Sequence, residues 1–234
     1  MPTSKLDTIT RQAELTAAAL ALAAEGSPAD VTTADLARAV GITQGAVYRH
    51  FPSKEAIWVA VIEQVQVALM DRLQMAADRL ATEPLQALRA IFLAHVEFVI
   101  EHPAVPRVIF QELQSAQDTV LKSRVRELMD AYRQLLLQVL KQARNDGLLR
   151  GDVELPAAIA LFIGAVQGLV MQTMLSGDLR QMRLQAPKVY ALWQQALVSE
   201  STEACRADDS PAKAHDSNPR PGRKKRMKSR GMSS

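Results

Sequence analysis

Cysteine is almost missing from this chain: Cys205 is the single one in 234 residues. No internal disulfide framework is available, and a reducing cytoplasm is the expected compartment. Aromatic residues make up 4% of the chain, so core packing falls to Ala and Leu on helices. The first residues, MPTSKLDTITRQAE, lack the apolar run of a signal peptide, and secretion is not expected. No phosphate loop, dinucleotide glycine fingerprint, Cys-rich zinc spacing or G-x-S-x-G elbow occurs. An enzyme is therefore not expected, nor a cofactor. Strand alternation is lacking as well, which leaves an all-α fold.

Charge is less informative than its total suggests. The formal net charge is +3, but nine of the 28 basic and five of the 25 acidic residues lie from Ser199 onward. The preceding 198 residues therefore hold nineteen basic against twenty acidic side chains. A basic average is no argument for a nucleic-acid partner here. Any such argument has to come from placed residues.

Those residues are found in Val31 to Ile57, VTTADLARAVGITQGAVYRHFPSKEAI. Thr32 suits an N-cap and Asp35 follows at capping-box spacing, so a helix starts there. Leu36, Ala37 and Val40 form its buried stripe. Gly41 stands where a helix closes through a left-handed residue, and Ile42 supplies the apolar contact of that turn. A second helix begins at Thr43, with Ile42, Val47 and Phe51 facing the core. Gln44, Gly45, Ala46, Tyr48, Arg49 and His50 are then expected on its outward side. Gln pairs with adenine, Arg with guanine, an Ala methyl touches thymine, and Gly permits close approach to the groove. Pro52 ends the helix and Ser53 caps the next. Lys54 falls in that helix's first turn, where the macrodipole disfavours a cation, so an anion such as a DNA phosphate is the expected neighbour.

The motifs T-x-x-x-[LI]-A, G-[IV]-[ST]-x-G-x-[VL]-Y-x-[HY]-F and P-[ST]-K-E-x-[LI] follow one another here. Together this order resembles the DNA-binding domain of TetR-type bacterial transcriptional regulators. The resemblance implies a three-helix DNA-binding domain over residues 1–55 and a larger helical effector-binding and dimerisation domain over 56–199. It implies phosphate contacts at Tyr48 and Lys54. With Thr33 and His50 also at helix starts or flanks, Gln44, Ala46 and Arg49 are left to read bases. Ala34 stands where some relatives carry a base-contacting arginine, and Leu22 where many carry phenylalanine. Double-stranded DNA with a palindromic operator, a second copy of the chain and a small effector are the partners implied.

Along the rest of the chain, helices are expected over Thr8 to Ala24, from Ser53 to about Leu80, and from Pro84 to His102. Further ones run from Pro106 through Leu113, from Thr119 to Arg144, from Leu155 to Gly177, and from Pro187 to Ser199. Leu155 to Gly177 contains no charged residue and sets Gly164 and Gly168 at G-x-x-x-G spacing. It is long enough for a bilayer, yet Gln167 and Gln172 lie well inside it. A buried contact between two copies of the chain fits as well, with Leu192 and Trp193 on the last helix. An apolar or amphipathic effector is expected among Phe92, His95, Phe98, Phe110, Met129, Tyr132, Gln167 and Met171, which combine bulk with a few polar handles. His95 and His102 lack a nearby thiol or acid at ligand spacing, so no metal site is expected. Glu97 and Glu112 stand alone on their helices. Residues 200–234 are polar and aperiodic and read as a disordered tail. Their basic block, Arg220 to Arg230, serves either solubility or non-specific DNA affinity.

Overall fold

A computed structural model describes residues 4–198, with side chains from Thr8 onward. The basic tail expected beyond them, with Cys205, lies outside the described residues. The helices are α1 (Ser4–Glu25), α2 (Thr33–Val40), α3 (Gln44–His50), α4 (Lys54–Asp78), α5 (Pro84–Glu101), α6 (Ala104–Leu113), α7 (Val120–Asn145), α8 (Leu155–Ser176) and α9 (Leu179–Leu197). The fold is all-α. Among the described residues the one β-type pairing is an isolated bridge between Leu149 and Val198.

Local chemistry explains most helix ends. Thr32 and Asp35 form the reciprocal capping box, Asp35 N donating to Thr32 Oγ1 and Thr32 N to Asp35 Oδ2, each at 3.1 Å. Gly41 closes α2 at φ 71°, and Ile42 N donates back to Ala37 O at 2.9 Å. That is the left-handed closure a glycine makes without steric cost. Ser53 and Thr119 cap α4 and α7 through Ala56 N and Lys122 N.

Three helix starts differ from expectation: α1 begins at Ser4, four residues before Thr8, and two more differ further on. α6 begins at Ala104, with Val105 N donating to His102 O, so Pro106 lies inside the first turn. There its missing N–H costs nothing, because first-turn donors have no intrahelical acceptor. α9 begins at Leu179, and Asp178 caps it through Arg180 N at 2.9 Å and Gln181 N at 3.2 Å. Pro187 is interior to that helix, and packing of Met182, Ala186 and Tyr190 against the body offsets the lost bond.

α4 packs on α5 and α7 and also on α1, while α8 and α9 pair with each other and with α5. The core runs unbroken from Leu15, Leu36 and Val47 at one end, through Ile57, Trp58 and Val61 of α4, to the α5–α9 body. Ion pairs Arg72–Glu101 and Arg183–Glu97 strap α4, α5 and α9 together on the outside. Glu97 is thus a strap, and the Arg183 guanidinium holds its carboxyl below the ordinary range. Glu112 accepts a hydrogen bond from Thr119.

α8 is uncharged and largely apolar on two sides, for separate reasons. One side, including Phe162, Val166 and Leu169, belongs to the core. The other carries Leu161, Gly164, Gly168, Met171 and Leu175, all exposed. By length and composition alone it is the one described helix suited to cross a membrane.

Candidate DNA interface and effector cavity

The short helix α3 is held on three sides before any partner arrives. Gln12 of α1 donates from Nε2 to His50 O at 2.9 Å, bracing its C-terminal end. Thr43 caps its start through Ala46 N at 3.2 Å. Across the turn, Gln44 Nε2 donates to Thr33 Oγ1 at 2.8 Å, and Tyr48 Oη lies 3.3 Å from the same oxygen. Thr33 is therefore buried beneath two residues of α3, and the angle between α2 and α3 is fixed by hydrogen bonds as well as by Val47 packing.

The expected outward face is only partly outward. Thr43, Gln44, Gly45, Tyr48 and Arg49 are exposed, whereas Ala46 is buried and His50 half-buried with Nδ1 unpartnered. Ala46 follows Ile42 by four residues, which returns it to the core side. Its methyl is not available to a thymine. Thr33 is likewise withdrawn from the surface on which a phosphate contact was expected. Arg49 has no ion pair or hydrogen bond among the described residues, so its guanidinium is free for an external acceptor. Lys54 has a partner within the chain, Nζ donating to Ala29 O at 2.7 Å. Within the chain, that carbonyl of the α1–α2 loop is the acceptor that meets a lysine at this helix start.

In the body, a cavity of about 700 Å³ lies between α4, α5, α6, α7 and α8. Val65 and Leu69 of α4, Ile109, Phe110 and Leu113 of α6, and Ile159, Ile163 and Val170 of α8 give it an apolar wall. Its size and lining are those of sites that enclose small organic molecules. Of the expected lining, His95, Phe98, Phe110, Met129 and Gln167 border it. Phe92, Tyr132 and Met171 do not. Phe92 packs 5.2 Å from Phe162 and 5.6 Å from Tyr190, in an aromatic core that fills one end of the body before the cavity begins. Met171 is one position round α8 from cavity-facing Val170, and so points outward. Tyr132 lies behind the wall, its Oη 3.1 Å from His95 Nδ1. The sequence reading places Gln167 and Met171 of this helix at the effector but misses its apolar wall, although Ile159, Ile163, Val166 and Val170 recur at helical spacing, because it assigns the apolar residues of the helix to a contact between copies.

His95 and His102 part company: His102 is exposed with its ring 4.5 Å from Phe98, while His95 turns inward. Burial pushes the His95 pKa down to about 4, so it is neutral at physiological pH, and burial also raises that of the Tyr132 phenol. Among the described residues no group of three or more His, Cys, Asp or Glu is placed to hold a metal.

The α8–α9 face is the remaining candidate surface. Leu161 (57%), Leu175 (76%), Leu184 (58%) and Leu192 (69%) are exposed, beside Gly164 and Gly168. Trp193 is not on it. That ring is buried edge-on against Phe162 at 4.9 Å and donates from Nε1 to Ala158 O at 3.1 Å.

A braced recognition helix on a helical body with a partly open, apolar-walled cavity defines a DNA-binding regulator of the two-part, helix-turn-helix kind. The chain belongs to the tetracycline-repressor (TetR) family, whose members bind DNA and dimerise. The family model described as "Bacterial regulatory proteins, tetR family" matches residues 15–61, and "Tetracyclin repressor-like, C-terminal domain" matches residues 81–171. Among curated relatives, the nucleoid occlusion factor SlmA of Vibrio vulnificus is 29% identical over 145 residues, 62% of this chain and 73% of that protein. Among solved structures, the fatty acid degradation regulator FadR of Bacillus halodurans superposes with a TM-score of 0.71 at 18% identity, over 79% of this chain and 94% of that one. The transcriptional regulator FadR of Bacillus subtilis, solved in complex with stearoyl-CoA, superposes at 0.67 with 16% identity, over 77% and 96%.

Proposed function

We propose that this protein is a homodimeric, effector-released transcriptional repressor of the bacterial cytoplasm, acting on a palindromic operator. Residues 1–55 bind DNA, and residues 56–199 bind the effector and dimerise. Gln44 and Arg49 read base edges, while Thr43, Tyr48, His50 and Lys54 approach the backbone, Lys54 exchanging its carbonyl partner for a phosphate. Gly45 lets the helix lie close to the groove.

The observation that carries this reading is that two helices touch both the cavity and the DNA-binding end. α4 presents Val65 and Leu69 to the cavity, and seven residues earlier Trp58 and Ile57 sit in the core under α1–α3. α6 presents Ile109 and Phe110 to the same cavity, packs on α1, and extends Arg107 Nη1 to Gly26 O at 3.4 Å. A ligand that fits better when α4 or α6 shifts therefore disfavours the DNA-competent spacing of the two copies. Release scales with its differential affinity for the two arrangements and with nothing else. An apolar or amphipathic ligand suits the cavity, as stearoyl-CoA suits the Bacillus subtilis relative.

A second reading is favoured by the sequence relatives: SlmA proteins are named for nucleoid occlusion, and a DNA-binding role under protein control fits that likeness. One experiment separates the two. DNA fragments are selected from a random pool with the purified chain, and compounds that raise its melting temperature are titrated into the complex. Stabilising compounds that release DNA support the effector reading; compounds that stabilise and leave DNA bound support the second.

A further inference from the structure

Among the described residues His95 is the one cavity-lining imidazole, and its neighbour sets its hydrogen bonding. Tyr132 is fully buried, and His95 Nδ1, at 3.1 Å, is the hydrogen-bond partner of its hydroxyl among the described residues. A buried hydroxyl proton needs an acceptor. Nδ1 is the acceptor at hand, so it carries no proton, and the proton of the neutral ring is on Nε2. The opposite tautomer leaves the Tyr132 proton without a partner inside the protein. Nε2 has no hydrogen-bond partner among the described residues, and it is not among the sealed, unsatisfied atoms. The edge that carries it is the one left for the cavity, since the Nδ1 edge is taken.

Charge around the cavity is arranged differently from this polar point. Arg126 and Arg133 are the charged residues that border it. Both are more than half exposed, and each is already paired, with Asp118 and Asp130 respectively at 2.7 Å. Among the described residues no carboxylate borders it. A cationic group taken inside has no counter-charge among the lining residues, which is costly against an apolar wall.

We propose that the cavity selects a mainly apolar, non-cationic ligand bearing a carbonyl oxygen, which accepts a hydrogen bond from His95 Nε2–H while Tyr132 fixes the tautomer. His95 is the specificity-determining residue and Tyr132 a positioning residue. The proposal rests on the reading of this cavity as the effector site.

The test uses the full chain and three probes of equal chain length: 2-undecanone, undecane and undecylamine. Calorimetry is expected to give the ketone an affinity roughly tenfold above the alkane, the size of one hydrogen bond in an apolar site, with the amine weakest. In His95→Phe the ketone and the alkane should bind alike. Because that variant also removes the acceptor of Tyr132, nitrogen-15 spectra of the histidines in the wild type supply an independent reading. They should show a protonated Nε2 and an unprotonated Nδ1 for His95, and a mixture of tautomers in Tyr132→Phe. A protonated Nδ1 in the wild type, equal binding of ketone and alkane, tighter binding of the amine, or no binding of any probe would each overturn the proposal. Selective binding without release of DNA would instead overturn the effector-release reading and leave the selectivity in place.

Discussion

Thr33 sits in the first turn of α2, where position along the chain suggests an exposed phosphate contact. In the folded protein its hydroxyl is covered by Gln44 and Tyr48. Those partners are eleven and fifteen residues away, so local spacing carries no trace of them. Ala46 was misread for a related reason: on a helix of seven residues, a single four-residue step decides which side a methyl takes. Arg49 was legible, because a charged side chain on so short a helix has only solvent to go to. Replacing Arg49 with Ala should cost about 1–3 kcal/mol on the preferred DNA site and relax preference at one base pair per half-site. Anisotropy titrations against single-base variants of the selected site measure both. His95 gives a prediction of another kind. Its folded pKa, about 4, lies below the ordinary histidine value, so the unfolded chain binds the extra proton first as pH falls. The stability this group contributes is present above the unfolded value near 6.5 and is lost as pH drops toward the folded one. The full shift corresponds to about 3 kcal/mol. Since one edge borders the cavity, a loss of roughly 1–3 kcal/mol between pH 7 and pH 4 is expected. Urea melts of the wild type and His95→Gln should converge over that window. Parallel curves for the two would show that His95 is not held neutral by burial.

At the level of the helices, the ends written in adjacent residues were readable and those written across the fold were not. Thr32, Gly41, Ser53 and Thr119 act on backbone groups a few positions away, which makes them local signals. α9 was opened too late because Pro187 resembles a helix start, and its actual first residues, LRQMRLQ, have few apolar positions. The body α5, α8 and α9 supplies the buried contacts that hold that segment helical. The cavity was hidden in the same way, since an apolar residue facing a void looks like one facing a core. Gly41 allows a clean test of a local signal. A Cβ built there meets nothing within 4 Å, yet φ is +71°, so Gly41→Ala isolates the backbone term. It should destabilise the protein by about 1 kcal/mol, read as a lower urea midpoint at unchanged slope. An unchanged midpoint would mean that the turn relaxes to a different closure.

For the molecule as a whole, the α8–α9 face is the proposed contact between copies. Added side chains at Gly164 and Gly168 meet nothing within 4 Å inside one chain. Gly164→Leu and Gly168→Leu should therefore leave the single-chain fold intact while wedging two copies apart. Light scattering is expected to show a dimer for the wild type and monomer for the variants, with helix content by circular dichroism unchanged. Dimers of undiminished affinity in both variants would move the contact elsewhere. In the dimer the two α3 helices should address half-sites about 34–36 Å apart, or a multiple of it.

The bare leucines of that face also bear on what stability means for this protein. In the proposed dimer Leu161, Leu175, Leu184 and Leu192 are shielded by the second copy, and part of the apolar burial is then an association term governed by mass action. Folding and pairing become one equilibrium, and the midpoint of thermal unfolding should rise with protein concentration. A cell that makes few copies would hold this regulator nearer its unfolding threshold than one that makes many, so abundance itself sets how much DNA-competent protein survives.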